Sequence, residues 1–156
     1  TLAPANTCMQ TLVERTLDEI RTGFADRRIE AAYRGDTAGA WDGERIAQVL
    51  ANLLGNALHH GSRDVPVRVE VDGEAAGQVV ITVSNGGNIP PELLPRLFDP
   101  FRSGARRTGG HRGLGLGLFI AQQVAQAHGG RISAESRDDV TRFRVALPRT
   151  AAAGAA

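Results

Sequence analysis

The alternation of helix-like and strand-like segments limits the fold of this chain more than any other feature of its sequence. Apolar residues recur at helical spacing in three segments, at about 7–23, 43–60 and 116–127. Alternating or continuous apolar runs predict strands at about 29–33, 67–71, 79–83, 131–136 and 141–147. Hairpin-like turns separate several of these strands, which argues against a doubly wound sheet. We therefore expect an α+β fold, a two-layer α/β sandwich in which a mixed sheet of about five strands packs on three main helices.

Local signals predict where some of these elements begin and end. Thr7 followed by Gln10 fits a capping box at the start of the first helix. Asp42 is a candidate N-cap for the second helix, after a loop predicted at 35–39. A short helix is expected at 91–97, with proline at its start.

Length and composition describe one globular domain. The chain has 156 residues, of which 42% are hydrophobic and 22% charged, and these values argue against disorder. We predict a domain over 1–150, entered by an irregular segment at 1–6. Residues 151–156 are small and of low complexity, and we expect them to form a disordered tail.

All 18 basic residues are arginine, and the absence of lysine excludes several enzyme classes. P-loop NTPases and protein kinases of the common type need a lysine on the phosphates, and Schiff-base chemistry needs its amine. The single cysteine, Cys8, excludes an internal disulfide and a cysteine-based zinc site. A net charge of +1 provides no general attraction to nucleic acid or to acidic membranes, so we expect contact with neither. No apolar run approaches the ~18 residues of a membrane span and no signal segment opens the chain, so the cytoplasm is the expected compartment.

The second predicted helix contains a row of polar side chains beside its apolar stripe. Asn52, Asn56 and His59 lie within about 60° of one another at ~100° per residue. Carboxamide oxygens in such a row can ligate a hard cation such as Mg²⁺. The alternative is an amphipathic helix whose polar residues simply face solvent. His59 and His60 diverge by about 100°, which disfavours a transition-metal site.

Three alternating glycines precede the third predicted helix, in the run Gly113-Leu114-Gly115-Leu116-Gly117-Leu118. Glycines let backbone N–H groups approach phosphate oxygens, and a helix N-terminus adds partial positive charge. The alternative is a flexible hinge. The spacing and the preceding loop differ from the dinucleotide-binding fingerprint.

Two further segments suggest nucleotide contacts. Arg102, Arg106, Arg107 and Arg112 lie in a glycine-rich loop without acidic residues, which suits polyphosphate, although such a run can also be a solvated surface. Asn85-Gly86-Gly87 directly follows an apolar strand. A polar side chain there can contact a base edge and the glycines allow close approach, although the segment can also be an ordinary turn.

Taken in order, these segments resemble the ATP-binding catalytic domain of sensor histidine kinases, within the Bergerat-fold ATPase superfamily. Residues 52–60 resemble the N box, Asn85-Gly86-Gly87-Asn88-Ile89 the G1 box, Phe98-Asp99-Pro100-Phe101 the F box and 113–117 the G2 box. Thr141-Arg142-Phe143 resembles the closing Thr-x-Phe strand of the family. The resemblance covers about 40–148.

The resemblance implies roles for individual residues. Asn56 would ligate Mg²⁺, and Asn52 would orient water or phosphate groups. His59 would face the phosphates, and His60 would lie near ribose and phosphates. Asn85 stands where relatives usually have the aspartate that accepts the adenine amino group. The other positions implied to contact ATP are Gly87, Ile89, Phe98, Arg112, Gly113, Leu114, Gly115, Leu116, Gly117, Leu118 and Thr141.

Residues 98–113 would form the ATP lid. Arg102 and Arg107 of this lid would act in catalysis together with Asn52 and Asn56 of the N box. The sequence departs from the family pattern at Asn85, a neutral acceptor, and at Ile89, where a second glycine is expected in a G1 box one residue short.

The implied function is binding of MgATP and donation of the γ-phosphate to a histidine on a separate dimerisation and phosphoacceptor domain of the same kinase, with a response regulator downstream. The acceptor histidine of such kinases is usually followed by an acidic residue, and none of the four histidines here is. A full-length kinase could be anchored in a membrane even if this domain is cytoplasmic. Two alternatives are a non-catalytic nucleotide-sensing module and a Bergerat-fold Ser/Thr kinase of the anti-sigma type.

Overall fold

The structure, a computed structural model, describes residues 2–100 and 114–150. Its α-helices are α1 (Met9–Gly23), α2 (Gly43–His60) and α3 (Leu114–Ala127), and a short 3-10 helix spans Leu94–Arg96. Its strands are β1 (Ala5–Cys8), β2 (Ile29–Gly35), β3 (Ala38–Trp41), β4 (Val67–Gly73), β5 (Gln78–Gly86), β6 (Arg131–Arg137) and β7 (Val140–Pro148).

The main sheet has five strands in the order β2-β4-β5-β7-β6. β2 and β4 are parallel, because α2 crosses over between them, and every other pair is antiparallel. β5 is central, and its alternate residues Val79, Ile81 and Val83 are fully buried against the helices. The predicted mixed sheet of five strands on three helices is confirmed.

The core lies between one face of this sheet and the helices. α2 buries Ile46, Leu50, Leu53 and Ala57 at helical spacing, and it packs against both α1 and α3. The opposite face of the sheet carries charged residues and has no helix on it in the described part of the chain. This arrangement makes α2 the central helix of a two-layer sandwich.

A second, two-stranded sheet was not predicted. β1 pairs with β3 in antiparallel register across segments expected to be an entry segment and a loop. The predicted capping box is wrong for the same reason: the Thr7 side chain lies in β1, where its hydroxyl donates to the backbone oxygen of Ala5 at 2.7 Å. The residue at the N-cap of α1 is Cys8, which makes no side-chain capping hydrogen bond.

Other predicted boundaries hold or shift slightly. Asp42 is the N-cap of α2, and its carboxylate accepts from the Arg45 amide at 3.3 Å. The segment 91–97 forms only a 3-10 turn, because its prolines lack the amide hydrogens that a longer helix needs. α3 begins at Leu114, so Gly115 and Gly117 lie in its first turns rather than before it.

Predictions for 101–113 and 151–156 lie outside the described residues. No helix within the described parts of the chain is long and apolar enough to cross a membrane.

Candidate functional site

A cavity of about 240 Å³ lies where the C-terminal half of α2 meets the end of β5 and the start of β7. Its lining combines carboxamides and hydroxyls with apolar side chains. The lining residues are Asn56, His60, Asn85, Gly87, Asn88, Ile89, Pro90, Leu93, Leu97, Thr141 and Phe143. The structure thus brings together six of the predicted site residues from three separate parts of the chain.

α2 supplies the first polar wall of the cavity. Asn56 and His60 are four residues apart, so both lie on the same face of the helix and both line the cavity. One turn earlier, the Asn52 side-chain nitrogen donates to the Gly117 backbone oxygen at 3.1 Å. Because that nitrogen is engaged, Oδ1 of Asn52 is the atom left to accept from a ligand or water. The same bond ties the first turns of α3 to α2.

A second tie joins the opposite ends of these two helices. The buried His128, just after α3, accepts from the Asp42 backbone amide through Nε2 at 3.0 Å. Its Nδ1 lies 2.9 Å from the Val124 oxygen, which accepts hydrogen bonds only, so Nδ1 must be the protonated nitrogen. α2 and α3 are therefore fixed to each other at two places, and the polar wall has a defined position.

Asn85 supplies a hydrogen-bond acceptor at the end of β5. Its side chain is buried, and Nδ2 donates to the Gly86 oxygen at 2.9 Å. A carbonyl oxygen can only accept, so Nδ2 must face Gly86 and Oδ1 must point away from it. Oδ1 is the atom that can accept a hydrogen bond from an exocyclic amine of a ligand.

Gly61 lets the end of β5 approach the end of α2. A Cβ at this position would lie 2.5 Å from the Ala57 oxygen and 2.7 Å from the Asn85 Cβ. Such contacts are shorter than atoms tolerate, so a side chain here would push Asn85 out of the cavity wall.

The loop after β5 is held by β7. Gly87 has a φ of 108°, which a residue with a side chain rarely adopts, and its oxygen accepts from the Thr141 hydroxyl at 2.8 Å. Thr141 is buried and lies directly opposite Asn85 in the register of β5 and β7. The hydroxyl and the carboxamide are therefore fixed side by side.

Apart from Asn88, the rest of the cavity lining is apolar. Ile89, Leu93, Leu97 and Phe143 line it, and the Phe98 ring stands edge-to-face with Phe143 at a centroid distance of 6.2 Å. A cavity with one fixed acceptor and an apolar wall suits a flat heteroaromatic ring that carries an amine.

Sequence reasoning did not include five of the lining residues, namely Asn88, Pro90, Leu93, Leu97 and Phe143. Asn88 and Phe143 lie inside recognised motifs, and Phe143 shares a sheet face with Thr141 by strand alternation. Leu93 and Leu97 are four residues apart in a segment predicted to be helical. These patterns could have indicated the apolar wall, although its proximity to α2 is a tertiary property.

Other predicted site residues lie elsewhere or at the edge of the described structure. The His59 ring packs edge-to-face on Phe24 at 5.7 Å, and His59 is not among the described residues that line the cavity. Leu118 is buried in the core, whereas Leu116 and Gly117 are half-buried near the start of α3. The remaining predicted residues of this region are Leu114 and Gly115, at the start of α3, and Arg102, Arg107, Arg112 and Gly113, outside the described residues.

The donor set is compatible with Mg²⁺. Among the described residues, no group of three or more histidine, cysteine or acidic side chains could hold a metal ion. Asn56 offers a carboxamide oxygen at the cavity, and Asn52 offers another one turn away. Mg²⁺ accepts oxygen ligands, retains several waters and needs only one or two protein ligands when phosphates complete its coordination. These residues fit Mg²⁺ bound together with a phosphate ligand.

Comparisons with known proteins agree with this geometry. A family model described as "Histidine kinase-, DNA gyrase B-, and HSP90-like ATPase" matches residues 41–151. A bacteriophytochrome of Pseudomonas aeruginosa is 36% identical over 149 residues, which are 95% of this chain and 20% of that protein. The sensor protein VanSC of Enterococcus gallinarum is 40% identical over 111 residues, covering 70% of this chain and 30% of that protein. The chain thus spans about a fifth to a third of the curated relatives it matches first.

Solved structures show the same architecture. The catalytic domain of histidine kinase ThkA has a TM-score of 0.81 and 26% sequence identity, covering 96% of this chain and 98% of that chain. A crystal structure of ThkA in complex with the response regulator protein TrrA has a TM-score of 0.79 at 24% identity, covering 97% of this chain and 43% of that chain. At 24% identity, the similarity to the ThkA–TrrA complex concerns the fold alone.

Proposed function

This chain belongs to the histidine kinase-, DNA gyrase B-, and HSP90-like ATPase family, and on that premise we propose that it is the catalytic domain of a sensor histidine kinase. It binds ATP with Mg²⁺ and donates the γ-phosphate to a histidine on a separate dimerisation and phosphoacceptor domain. The observation that supports this most is one cavity that combines the oriented Oδ1 of Asn85 with the carboxamide of Asn56.

The cavity is assigned to the adenine base. Asn85 Oδ1 accepts from the exocyclic amine, and Ile89, Leu93 and Phe143 cover the faces of the ring. At about 240 Å³ the cavity is smaller than the ~300–1,000 Å³ of pockets that enclose a drug-sized ligand. A cavity of this size can hold the base but not the whole nucleotide, so the phosphates are expected to lie outside it.

The phosphates are assigned to the start of α3 and to the polar row of α2. α3 begins at Leu114. The first amides of a helix have no acceptor within the helix, so its N-terminus attracts anions. Asn56 would hold Mg²⁺, and Asn52, oriented by Gly117, would orient a water or phosphate oxygen. When bound, Mg²⁺ neutralises phosphate charge and polarises the bond to the leaving oxygen. His59, His60, Arg102, Arg107 and Arg112 remain predicted phosphate contacts.

The chain positions ATP and leaves the nucleophile to its partner. In the transfer step the bond between the γ-phosphorus and its bridging oxygen breaks, ADP leaves, and a bond forms to an imidazole nitrogen of the acceptor. Such a transfer depends mainly on positioning and charge neutralisation. None of the four histidines in this chain has the sequence context of the acceptor, so the acceptor lies on another domain. A response regulator would then receive the phosphate.

Phosphate transfer from labelled ATP in the full-length protein tests this function. We expect phosphate on the acceptor domain that is labile in acid, as phosphohistidine is, and no labelling of the isolated chain. Asn56→Ala should abolish the transfer, whereas the matched variant Asn6→Ala, on exposed β1, should not. Acid-stable phosphate would instead indicate the Ser/Thr kinase. Nucleotide binding without any transfer would indicate the sensing module.

A further inference from the structure

The turn between β6 and β7 is fastened to the loop that follows β5. The Gly87 amide donates to the Asp139 oxygen at 2.7 Å. The Asn88 side-chain nitrogen donates to the Asp139 carboxylate at 3.0 Å, and the Asp139 amide donates back to Asn88 Oδ1 at 3.1 Å. The Asn88 side chain is thus paired reciprocally with the carboxylate and the backbone amide of Asp139, a residue 51 positions away.

Ser136 extends this connection to the next residue of the loop. Its hydroxyl accepts from the Ile89 amide at 2.7 Å and lies 3.1 Å from the Thr141 hydroxyl. Ser136 and Thr141 are direct partners in the register of β6 and β7, as Thr141 and Asn85 are in that of β5 and β7. Asn85, Thr141 and Ser136 therefore form one row of polar side chains across three strands. Asn88, Ser136 and Asp139 are called the turn latch below.

The turn between β6 and β7 has a strained backbone, and the contacts of the turn latch hold it in that conformation. Asp138 and Asp139 have φ values of 56° and 63°, so two consecutive residues with side chains adopt the left-handed conformation. Glycine is favoured at such positions of a two-residue hairpin, because a Cβ costs free energy there. Asp139 uses its side chain to bind Asn88, whereas Asp138 has no side-chain hydrogen bond within the described residues. Strained residues of this kind persist where the surrounding contacts hold them.

We propose that the turn latch positions the base-binding loop, so that Asn88, Ser136 and Asp139 are positioning residues for adenine recognition. Gly87, Asn88 and Ile89 are the loop residues, and all three line the cavity. Each of them is hydrogen-bonded to Asp139 or to Ser136. The latch holds the loop against Thr141 and Asn85, which keeps the apolar wall at a fixed distance from the amine acceptor. This inference rests on the proposed function, since it assumes that the cavity binds adenine.

Substitutions in the turn separate the latch from the hairpin itself. Asp139→Gly keeps a residue suited to positive φ but removes the carboxylate that accepts from the Asn88 side chain. Asp138→Gly is a matched control in the same turn, because Asp138 makes no such bond. Calorimetric titration of the chain with ATP and with GTP should show roughly two- to tenfold weaker ATP binding in Asp139→Gly, the loss expected for one hydrogen bond. The preference for ATP over GTP should fall as well, because Asn85 Oδ1 selects the amine. Asp138→Gly and Asp139→Asn, which retains the acceptor, should bind as the parent does.

The thermal midpoint of Asp138→Gly should equal or exceed that of the parent, because glycine relieves the strain at a positive φ. In Asp139→Gly the lost hydrogen bond to Asn88 offsets this gain. If Asp139→Gly fails to fold, Asn88→Ala breaks the same bond from the loop side and should show the same loss of ATP preference. The inference is overturned if Asp139→Gly and Asp138→Gly have the same affinity for ATP and the same preference for ATP over GTP. That result would leave the proposed function intact. No binding of either nucleotide by the parent chain would instead overturn the proposed function, and this inference with it.

Discussion

At Asn85 a single hydrogen bond decides which atom faces the cavity. The side-chain nitrogen donates to the Gly86 oxygen, so the carbonyl end is left to accept from a ligand. An aspartate at this position would lack the donor, and one carboxylate oxygen would face the Gly86 oxygen without a proton between them. The neutral amide is therefore matched to the local backbone as well as to an amine ligand.

This match predicts that Asn85→Asp destabilises the protein at neutral pH. We expect the free energy of unfolding to fall by about 1–3 kcal/mol, because the buried acceptors are left facing each other. Burial and the facing oxygen raise the pKa of the new carboxyl above its unfolded value. The deficit should therefore shrink as the pH falls, because the protonated carboxyl can again donate to Gly86. Denaturant unfolding at pH 7 and pH 4.5 measures this, and equal stability of variant and parent at pH 7 would contradict it.

At the scale of the element, α2 fixes the site through its two ends. Two glycines near its C-terminus have opposite surroundings: a Cβ at Gly61 meets Ala57 and Asn85, whereas a Cβ at Gly55 meets no described atom within 4 Å. Gly55→Ala should raise the free energy of unfolding by up to about 1 kcal/mol through helix propensity.

Gly61→Ala should lower the free energy of unfolding by about 1–3 kcal/mol through overpacking and should weaken nucleotide binding. Thermal unfolding of the two glycine variants side by side provides the comparison. A Gly61→Ala protein as stable as the Gly55→Ala protein would show that β5 does not need to approach α2 so closely.

The N-terminus of α2 contributes stability that depends on pH. The pKa of Asp42 is lowered, chiefly by a hydrogen bond from the Ala3 amide and further by one from the Arg45 amide. Asp42→Ala should lower the free energy of unfolding by about 1–2 kcal/mol at pH 7, the cost of a lost N-cap. The exposed variant Asp18→Ala on α1 is the control, with an expected change of no more than about 0.5 kcal/mol.

The sign of the pH effect follows from the direction of the shift. A carboxyl whose folded pKa lies below its unfolded value of about 3.9 contributes fully above that pH and loses its contribution as the pH falls through the folded pKa. Parent and Asp42→Ala should therefore differ less at pH 3 than at pH 7. Asp42→Asn, which keeps an acceptor but does not titrate, should lose less stability than the parent between these two pH values. A difference that grows on acidification would contradict this reading of the cap.

At the scale of the whole molecule, Arg149 joins the two sheets. Its guanidinium donates to the backbone oxygens of Ala38, Gly73, Ala75 and Ala76 at 2.7–2.9 Å. One side chain near the end of β7 thereby connects β3 of the small sheet with the turn between β4 and β5.

Removal of this clamp should loosen the small sheet. We expect Arg149→Ala to lower the free energy of unfolding by about 1–3 kcal/mol, and Arg149→Lys to recover only part of this, because an ammonium group cannot reproduce the planar set of donors. Arg131→Ala, on the exposed start of β6, should change stability by less than about 0.5 kcal/mol. Denaturant unfolding of the three variants decides the matter, and equal effects of Arg149→Ala and Arg131→Ala would contradict the clamp.

The sequence predicts the large elements of this fold because their signals are local. Helical spacing over 43–60 and strand alternation over 67–71 are visible within one segment, and Asn56, Asn85 and Thr141 lie in motifs at the ends of such segments. The small sheet was missed because Ala-Asn-Thr-Cys and Ala-Gly-Ala-Trp have no alternation, and their pairing joins residues 30 to 36 positions apart.

The turn latch was missed for a related reason. Asn88 and Asp139 are ordinary turn residues in the sequence, and only the register of β5, β7 and β6 brings them together. The apolar wall likewise depends on where the segment after Ile89 folds back against β7. Local pattern predicts which residues end a strand, whereas side-chain pairs between distant turns require the completed sheet.

Calorimetric titration of this chain with ATP, in Mg²⁺ and again after chelation, tests the central claim most directly. The claim is that the cavity between α2, β5 and β7 binds MgATP through Asn85 and Asn56. We expect saturable heat with Mg²⁺ present and weaker binding after chelation. In Asn56→Ala this dependence on Mg²⁺ should disappear, whereas Asn6→Ala should bind as the parent does. Absence of binding by the parent chain at millimolar ATP in both conditions would contradict the account.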